Sequence, residues 1–579
     1  MRVSIIALLA VLTACQSADK REPKPAPDVT VLVSWSAGTR FAATVTGNLP
    51  DDPEWRAVPV WWQEALGQTE RFSLASQSVL NPPDLQRCEL TVDPESMSLL
   101  VTLRAPAQQV ELAQASFAPR SSTPSLLQAI DLVAWQARLA LGEKATEPKA
   151  VAAITSANPK VVVAVADAVA LMNDGGFSSS HRTLRVARQR DGGAPFILDR
   201  LSYLELLRGD ADAAERISRE ALSYAERASQ TVQHRLLRTL LMARSAKYVS
   251  ETESFDKQLA MLASVARLER PYDDEPIWTA ALAHNFQGEF KEARGLLEQL
   301  LSRKPGNPFV PYHLGWACLG MNDATAASGH LATAAVQLPQ PWVLLPRAIA
   351  LFEAGLHEEL EALLSRVLAE STRSERDPLI HQVRRMQAAH AILQNQPDRA
   401  RTLLLEDLSW LQRNPLVLTN HVGEFAEEGA LLVRLGSSKE LPVILSAVQK
   451  QHVASIAADA SAFISGMHQV QTTGIRARKL EQELGRDGDS PWSSLLAAFA
   501  HERLGEVGDM QSQLAAAARL SGSAMTKALL AKSLRAVGKD LDARRLRETL
   551  RRELVQIHLR RSCQHPLFGP ELAYAFVLQ

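Results

Sequence analysis

The stretch DEPIWTAALAHNFQGEFKEARGLLEQLLSRKPGNPFVPYHLGWACLGMNDATAASGHLATAAVQLP, Asp274 to Pro339, falls on itself when slid by 34 residues. Gly288 then lands on Asn322, Ala293 on Ala327, Leu297 on Leu331, Leu300 on Ala334 and Pro305 on Pro339. Small residues on one helix (Ala280 and Ala281, then Leu314 and Gly315) let a second helix lie close against it. A turn follows at Gly288-Glu289 and at Asn322-Asp323, where Gly or Asn accepts a left-handed backbone. The second helix presents Ala293 or Ala327, then Leu297 or Leu331. Proline ends the unit because it cannot continue a helix. A fixed period with these positions in register predicts stacked helix–turn–helix units.

Poorer copies of the unit run from about Asn158 to Leu559. They centre on Gly175, Gly209, Gly355, Asn395, Gly436, Gly505 and Gly538. Helical segments from Thr231 to Glu269 lack a clear match to the unit. One unit cannot bury its own apolar face, so stability has to come from stacking on neighbours.

This pattern resembles the tetratricopeptide repeat (TPR) family. The resemblance implies a mainly α fold, a TPR-type helical solenoid, and a role in binding other proteins. It also implies that the first helix of each unit lines a concave groove. Carried onto the best units, the groove positions include Trp278, Leu282, Phe286, Phe309, Tyr312, Trp316, Trp342 and Phe352. Two alternatives stand beside this one: the aromatics pack between units, or another segment of the chain fills the groove. The tail HPLFGPELAYAFVLQ, with Leu567, Phe568, Tyr574 and Phe576, is the candidate filler.

Composition bounds the rest. Over 579 residues, 46% are hydrophobic, 22% charged and 5% aromatic, which suits a soluble helical protein. A net charge of −1 gives no global pull toward nucleic acid. Four cysteines are too few for a disulfide scaffold, although Cys88 and Cys563 could pair in an oxidising compartment.

The first residues, MRVSIIALLAVLTAC, have a positive start at Arg2 and an apolar run from Val3 to Leu12. The run is too short for a stable membrane span and matches the core of a signal peptide. Leu12-Thr13-Ala14-Cys15 resembles the bacterial lipobox, which implies that residues 1–14 are removed and that Cys15 is acylated. Gln16 follows where inner-membrane retention would call for aspartate, so the expected location is the outer membrane, facing the periplasm. Residues 15–27 are polar and proline-rich and read as an extended tether. Its twelve residues after the cysteine reach on the order of 35 Å.

Between 28 and 145 the pattern changes to a small α/β domain. Strands are expected at Val29–Val33, Cys88–Val92, Leu99–Arg104 and Val110–Phe117. Helices are expected at Glu54–Leu66 and Pro124–Leu141, with a turn over Val92–Met97. Trp61 and Trp62 fit either a core or a ligand surface. The element order resembles the amino-terminal domain of TolB. Residues 146–560 form the solenoid, and 561–579 a separate tail.

Motifs of catalysis are missing. There is no HExxH, no GxSxG elbow, no P-loop and no dinucleotide fingerprint in a strand-to-helix context. No enzyme activity, metal or cofactor is expected. An arginine run holds Arg544, Arg545, Arg547, Arg551, Arg552, Arg560 and Arg561. It fits an anionic surface, or a solvated helix face paired with Glu548 and Glu553. The sequence thus predicts a lipid-anchored scaffold that holds a protein or peptide in the cell envelope. The alternative is a sensory module whose α/β domain binds a ligand and signals through the repeats.

Overall fold

The computed structural model describes most residues between 40 and 143, 158 and 413, and 491 and 561, together with 428, 429, 431, 432 and 435. Cys15, the tether, the Val29–Val33 strand, Cys563, the tail and most of the unit around Gly436 lie outside the described residues.

The α/β domain opens with β1 (Arg40–Thr46) and α1 (Val58–Leu66). The strands β2 (Ser73–Ala75), β3 (Gln86–Asp93), β4 (Ser98–Ala105) and β5 (Gln108–Ser116) follow, and α2 (Thr123–Ala140) ends the domain. The sheet order is β2-β1-β3-β4-β5. β1 pairs in parallel with β2 and β3, and β3, β4 and β5 form an antiparallel meander. The expected turn between β3 and β4 is an aspartate turn. Asp93 Oδ1 accepts from the Glu95 N–H at 2.9 Å, and its Oδ2 accepts from Ser96 Oγ at 2.6 Å. These bonds to the charged form hold the Asp93 carboxyl below the usual carboxylate range.

Sequence reading found β3, β4 and β5 but not β1 or β2. A hairpin announces itself through its turn, whereas β1 pairs with strands that follow only after a crossover. The helices α1 and α2 pack on each other, α1 also against β1 and α2 against β4 and β5. Trp61 and Trp62 are wholly buried, so both belong to the core. Cys88 is a buried free thiol, and burial pushes it up to about 12, which leaves it unreactive.

The rest is helical repeats of the TPR type. Helices α3 (Pro159–Asn173) and α4 (Phe177–Arg190) come first, then α5 (Pro195–Leu207) and α6 (Ala211–Ser223). The stretch without a clear sequence match forms α7 (Gln230–Lys247) and α8 (Thr252–Glu269), a further pair. The two best units are α9 (Asp274–Gln287) with α10 (Phe290–Arg303), and α11 (Phe309–Gly320) with α12 (Ala324–Gln337). Then come α13 (Pro341–Glu353), α14 (His357–Ser371), α15 (Leu379–Leu393) and α16 (Pro397–Arg413). The last four are α17 (Pro491–Leu504), α18 (Val507–Ser521), α19 (Ala524–Ala536) and α20 (Asp540–Arg561).

Two compact units make up the chain. One holds the α/β domain and the helices as far as Ala317, with Thr333–Leu338; the other takes Cys318–Ala332 and Pro339–Leu559. Within the first, the Trp61 ring of α1 lies 5.3 Å from that of Phe196 of α5. The α/β domain is therefore joined to the first repeats through core side chains.

Six expected turn residues have left-handed backbone: Gly288 at φ 77°, Asn322 at 67°, Gly355 at 71°, Asn395 at 55°, Gly505 at 78° and Gly538 at 77°. Each closes its helix in the same way. The Glu289 N–H donates to the His284 carbonyl at 2.9 Å, and the Asp323 N–H donates to that of Cys318 at 2.9 Å. A bond from the residue after the turn back five positions is the Schellman closure, and it satisfies a carbonyl the helix would leave bare.

A Cβ at Gly505 would meet nothing within 4 Å, so only the backbone resists it. Gly505→Ala should cost about 1 kcal/mol. Gly295, on the exposed side of α10, also has nothing within 4 Å of an added Cβ and has no left-handed backbone. Gly295→Ala should stabilise by roughly 0.5–1 kcal/mol. Urea unfolding of both variants checks the opposite signs.

Candidate functional site

Three aromatic side chains meet in the first unit from helices far apart in sequence. The Phe309 ring, at the start of α11, lies 5.9 Å from Phe177 of α4 and 6.1 Å from Tyr203 of α5, edge-on to both. Phe309 and Tyr203 are half-buried. His313 stands one turn further along the same face of α11. Its ring meets Trp278 of α9 edge-on at 5.2 Å, and Trp278 is half-buried. Phe309 and His313, one turn apart on α11, thus gather Phe177 of α4, Tyr203 of α5 and Trp278 of α9; Phe177 and His313 are buried.

The other groove candidates sit differently. Leu282, Phe286, Tyr312, Trp316 and Phe352 are buried. Tyr312 and Trp316 meet edge-on at 6.4 Å, one turn apart on α11. Trp342 is in α13, and its side chain lies outside the described residues. Phe352 faces the ring of His390 of α15 at 6.4 Å. Sequence spacing named Phe309 and Trp278 as groove residues but gave no sign that Phe177 and Tyr203 would join them.

First helices are also tied to one another by buried polar pairs. Arg235 of α7 donates to Asp199 of α5 at 2.8 Å. One turn on, Arg238 pairs with Glu275 of α9. His234 Nε2 and Thr279 Oγ1 of α9 are 2.8 Å apart. Asn285 Nδ2 donates to the His313 carbonyl at 3.3 Å.

The second unit carries a denser cluster. His381, Arg385, Asp407 and Glu428 are all wholly buried. His381 Nδ1 donates to Asp407 Oδ2, and Arg385 Nη1 donates to Glu428 Oε1 at 2.7 Å. Burial pushes both carboxyls up to about 8, with Arg385 pulling against it. Nearby, His390 Nδ1 donates to Glu361 Oε1 at 2.6 Å, and Arg399 holds the other oxygen of that carboxylate at 2.8 Å. The sequence shows α15 as polar where a core helix should be apolar, but not which helices answer it.

The arginine run also finds partners other than those expected. Arg551 of α20 pairs at 3.2 Å with Glu353, the last residue of α13, whose side chain is 4% exposed. Glu553 pairs with Lys527 of α19 at 2.5 Å. Arg544, Arg545 and Arg552 are exposed.

Burial drives His313 down to about 3, so it stays neutral in the fold. The unfolded chain carries an ordinary histidine near 6.5. Stability is therefore fully present above about pH 6.5 and falls by about 1.4 kcal/mol per pH unit below it, until the folded value is reached. His313→Phe should remove this part of the acid slope, and urea titrations between pH 7 and 5 read it.

No family model matches the chain, and no curated protein matches it. Solved structures are similar to it. A thermophilic TPR protein of Thermus thermophilus is 19% identical, with 33% of this chain and 97% of that one covered, at a TM-score of 0.26. A TPR protein of Parabacteroides merdae is 15% identical over 43% and 93%, at 0.25. The apo form of the quorum sensor NprR from B. thuringiensis is 13% identical over 63% and 98%, at 0.37.

Proposed function

We propose that this protein is a lipid-anchored scaffold that holds a segment of another envelope protein against its helical repeats. The observation that carries the reading is the set of half-buried rings, Tyr203, Phe309 and Trp278, gathered along α11. Aromatic side chains that are partly solvated, on a rigid stack of helices, anchor an apolar peptide at low entropic cost. The lipobox around Cys15 and the proline-rich tether support the anchor, and the outer membrane facing the periplasm is the location we assign to it. We read the α/β domain, on its element order, as related to the TolB amino-terminal domain and as standing between tether and repeats.

Crosslinking and pull-down from membranes tests the binding face. Phe309→Ser with Trp278→Ala should lose a protein that the intact chain captures, while circular dichroism stays unchanged. Tyr312 and Trp316 are poor choices for this test because their loss would open the core. Capture of the same proteins by the double variant would sink the proposal. Cys15→Ser should move the protein from the membrane to the soluble fraction and abolish incorporation of a labelled fatty acid. An unchanged membrane fraction would remove the anchor from the reading.

A further inference from the structure

We propose that the exposed face of α4 and α6 is a docking surface for anionic phospholipid headgroups, which lays the first repeats against a bilayer. The α4 helix carries Arg182, Arg185, Arg188 and Arg190 and no acidic residue. Arg182, Arg185 and Arg190 are exposed, and together with exposed Val186 and Gln189 they follow the spacing of one helix face. Arg216 of α6 is exposed as well. Arg188 Nη2 donates to Glu220 Oε2 at 2.6 Å, which ties α4 to α6. Short turns make successive helices antiparallel, so α4 and α6 run the same way. Arg185 stands one turn before Arg188, and Arg216 one turn before Glu220, so these two arginines sit level on one surface.

The acids of these two helices are already taken. Asp212 pairs with Lys247 at 2.5 Å, Glu215 with Arg219 at 2.6 Å, and Glu220 with Arg188. The neighbouring α3 exposes one acid, Asp167, and one base, Lys160. Among the described residues, no carboxylate pairs with Arg182, Arg185, Arg190 or Arg216. The helix dipole accounts for Arg188 and Arg190 in the last turn, but it falls off within one turn and does not reach Arg182 or Arg185. The next second helices are mixed, since α8 exposes Glu253 with Lys257 and α10 exposes Lys291 with Glu292. One-sided charge therefore belongs to this face and not to the repeat. Arg182 and Arg190 are about 12 Å apart along the helix, so the cations suit an array of phosphates and do not converge on one. Val186 between them adds an apolar contact of the kind that enters a headgroup layer. The choice of a bilayer over other polyanions rests on the anchor proposed at Cys15. A tether of on the order of 35 Å keeps the α/β domain near the membrane. That domain is joined to α5, between α4 and α6, through Trp61 and Phe196.

Vesicle cosedimentation of residues 15–579, made as Cys15→Ser so that no acyl chain holds them, tests the face apart from the anchor. Vesicles of phosphatidylethanolamine with phosphatidylglycerol should carry the protein down, and phosphatidylcholine vesicles should not. Added salt should release it. Arg182→Gln with Arg185→Gln should weaken binding about thirtyfold, with circular dichroism unchanged because both side chains are exposed. Arg267→Gln with Lys291→Gln removes the same charge from exposed sites on α8 and α10 and should leave binding within about twofold. The proposal is overturned if the protein binds neither vesicle or both alike, if the α4 variant binds as before, or if the control weakens as much. Retention on immobilised polyglutamate without vesicle binding would give the face to an acidic protein and overturn it too. Fatty-acid incorporation at Cys15 reads the anchor separately, so each reading can fail without the other.

Discussion

Close approach of helices at alanine holds the repeats together. Ala281 of α9 and Ala293 of α10 have no exposed surface, and neither do Ala389 of α15 and Ala400 of α16. A methyl group at the crossing point lets two helices come near enough for leucines on either side, such as Leu297 and Leu404, to be sealed from water. Any larger residue there would force the pair apart and expose the same leucines. Because each pair lacks a core of its own, this one constraint propagates along the stack.

Geometry at the turns sets the repeat length, and this was legible in the residues. At Gly288, Asn322, Asn395 and Gly538 a charged or polar residue follows the turn and alanine stands five positions on, a local code that sequence spacing reads directly. Thr231–Glu269 shows where the code is thin. It folds into the expected pair of helices, yet charged Arg235 and Arg238 stand among its buried residues, and no period exposes their partners. The buried cluster on α15 was illegible for the same reason. Asp407 and Glu428 are surface types by composition, and only packing makes them interior. Strand β1 escaped because both of its partners in the sheet are parallel and follow only after a crossover.

The buried polar pairs have a part that the apolar contacts cannot play. Leucines and alanines slide past one another at modest cost. Asp199 against Arg235 does not, because a one-turn slip would leave a charge in the core without its partner. Arg238 against Glu275 repeats the condition at the next step. Register along the first helices is thus fixed by charge, while adhesion comes from apolar area. The same division holds on α15, where Met386 and Ala389 pack and Arg385 specifies.

The pairing of Arg551 with Glu353 reaches beyond statics. Stacked repeats exchange contacts with near neighbours, so a growing chain can order itself from its first helix onward. These two residues are 198 positions apart. Their meeting has to wait until α20 exists, and closing so long a loop is slow relative to adding one more helix. Until then Glu353 lacks this counter-charge, which in the finished fold pulls against the upward push of burial on its carboxyl. A chain cut short before α20 would lack this ion pair. The charge balance at the end of α13 is therefore completed only by the last helix described.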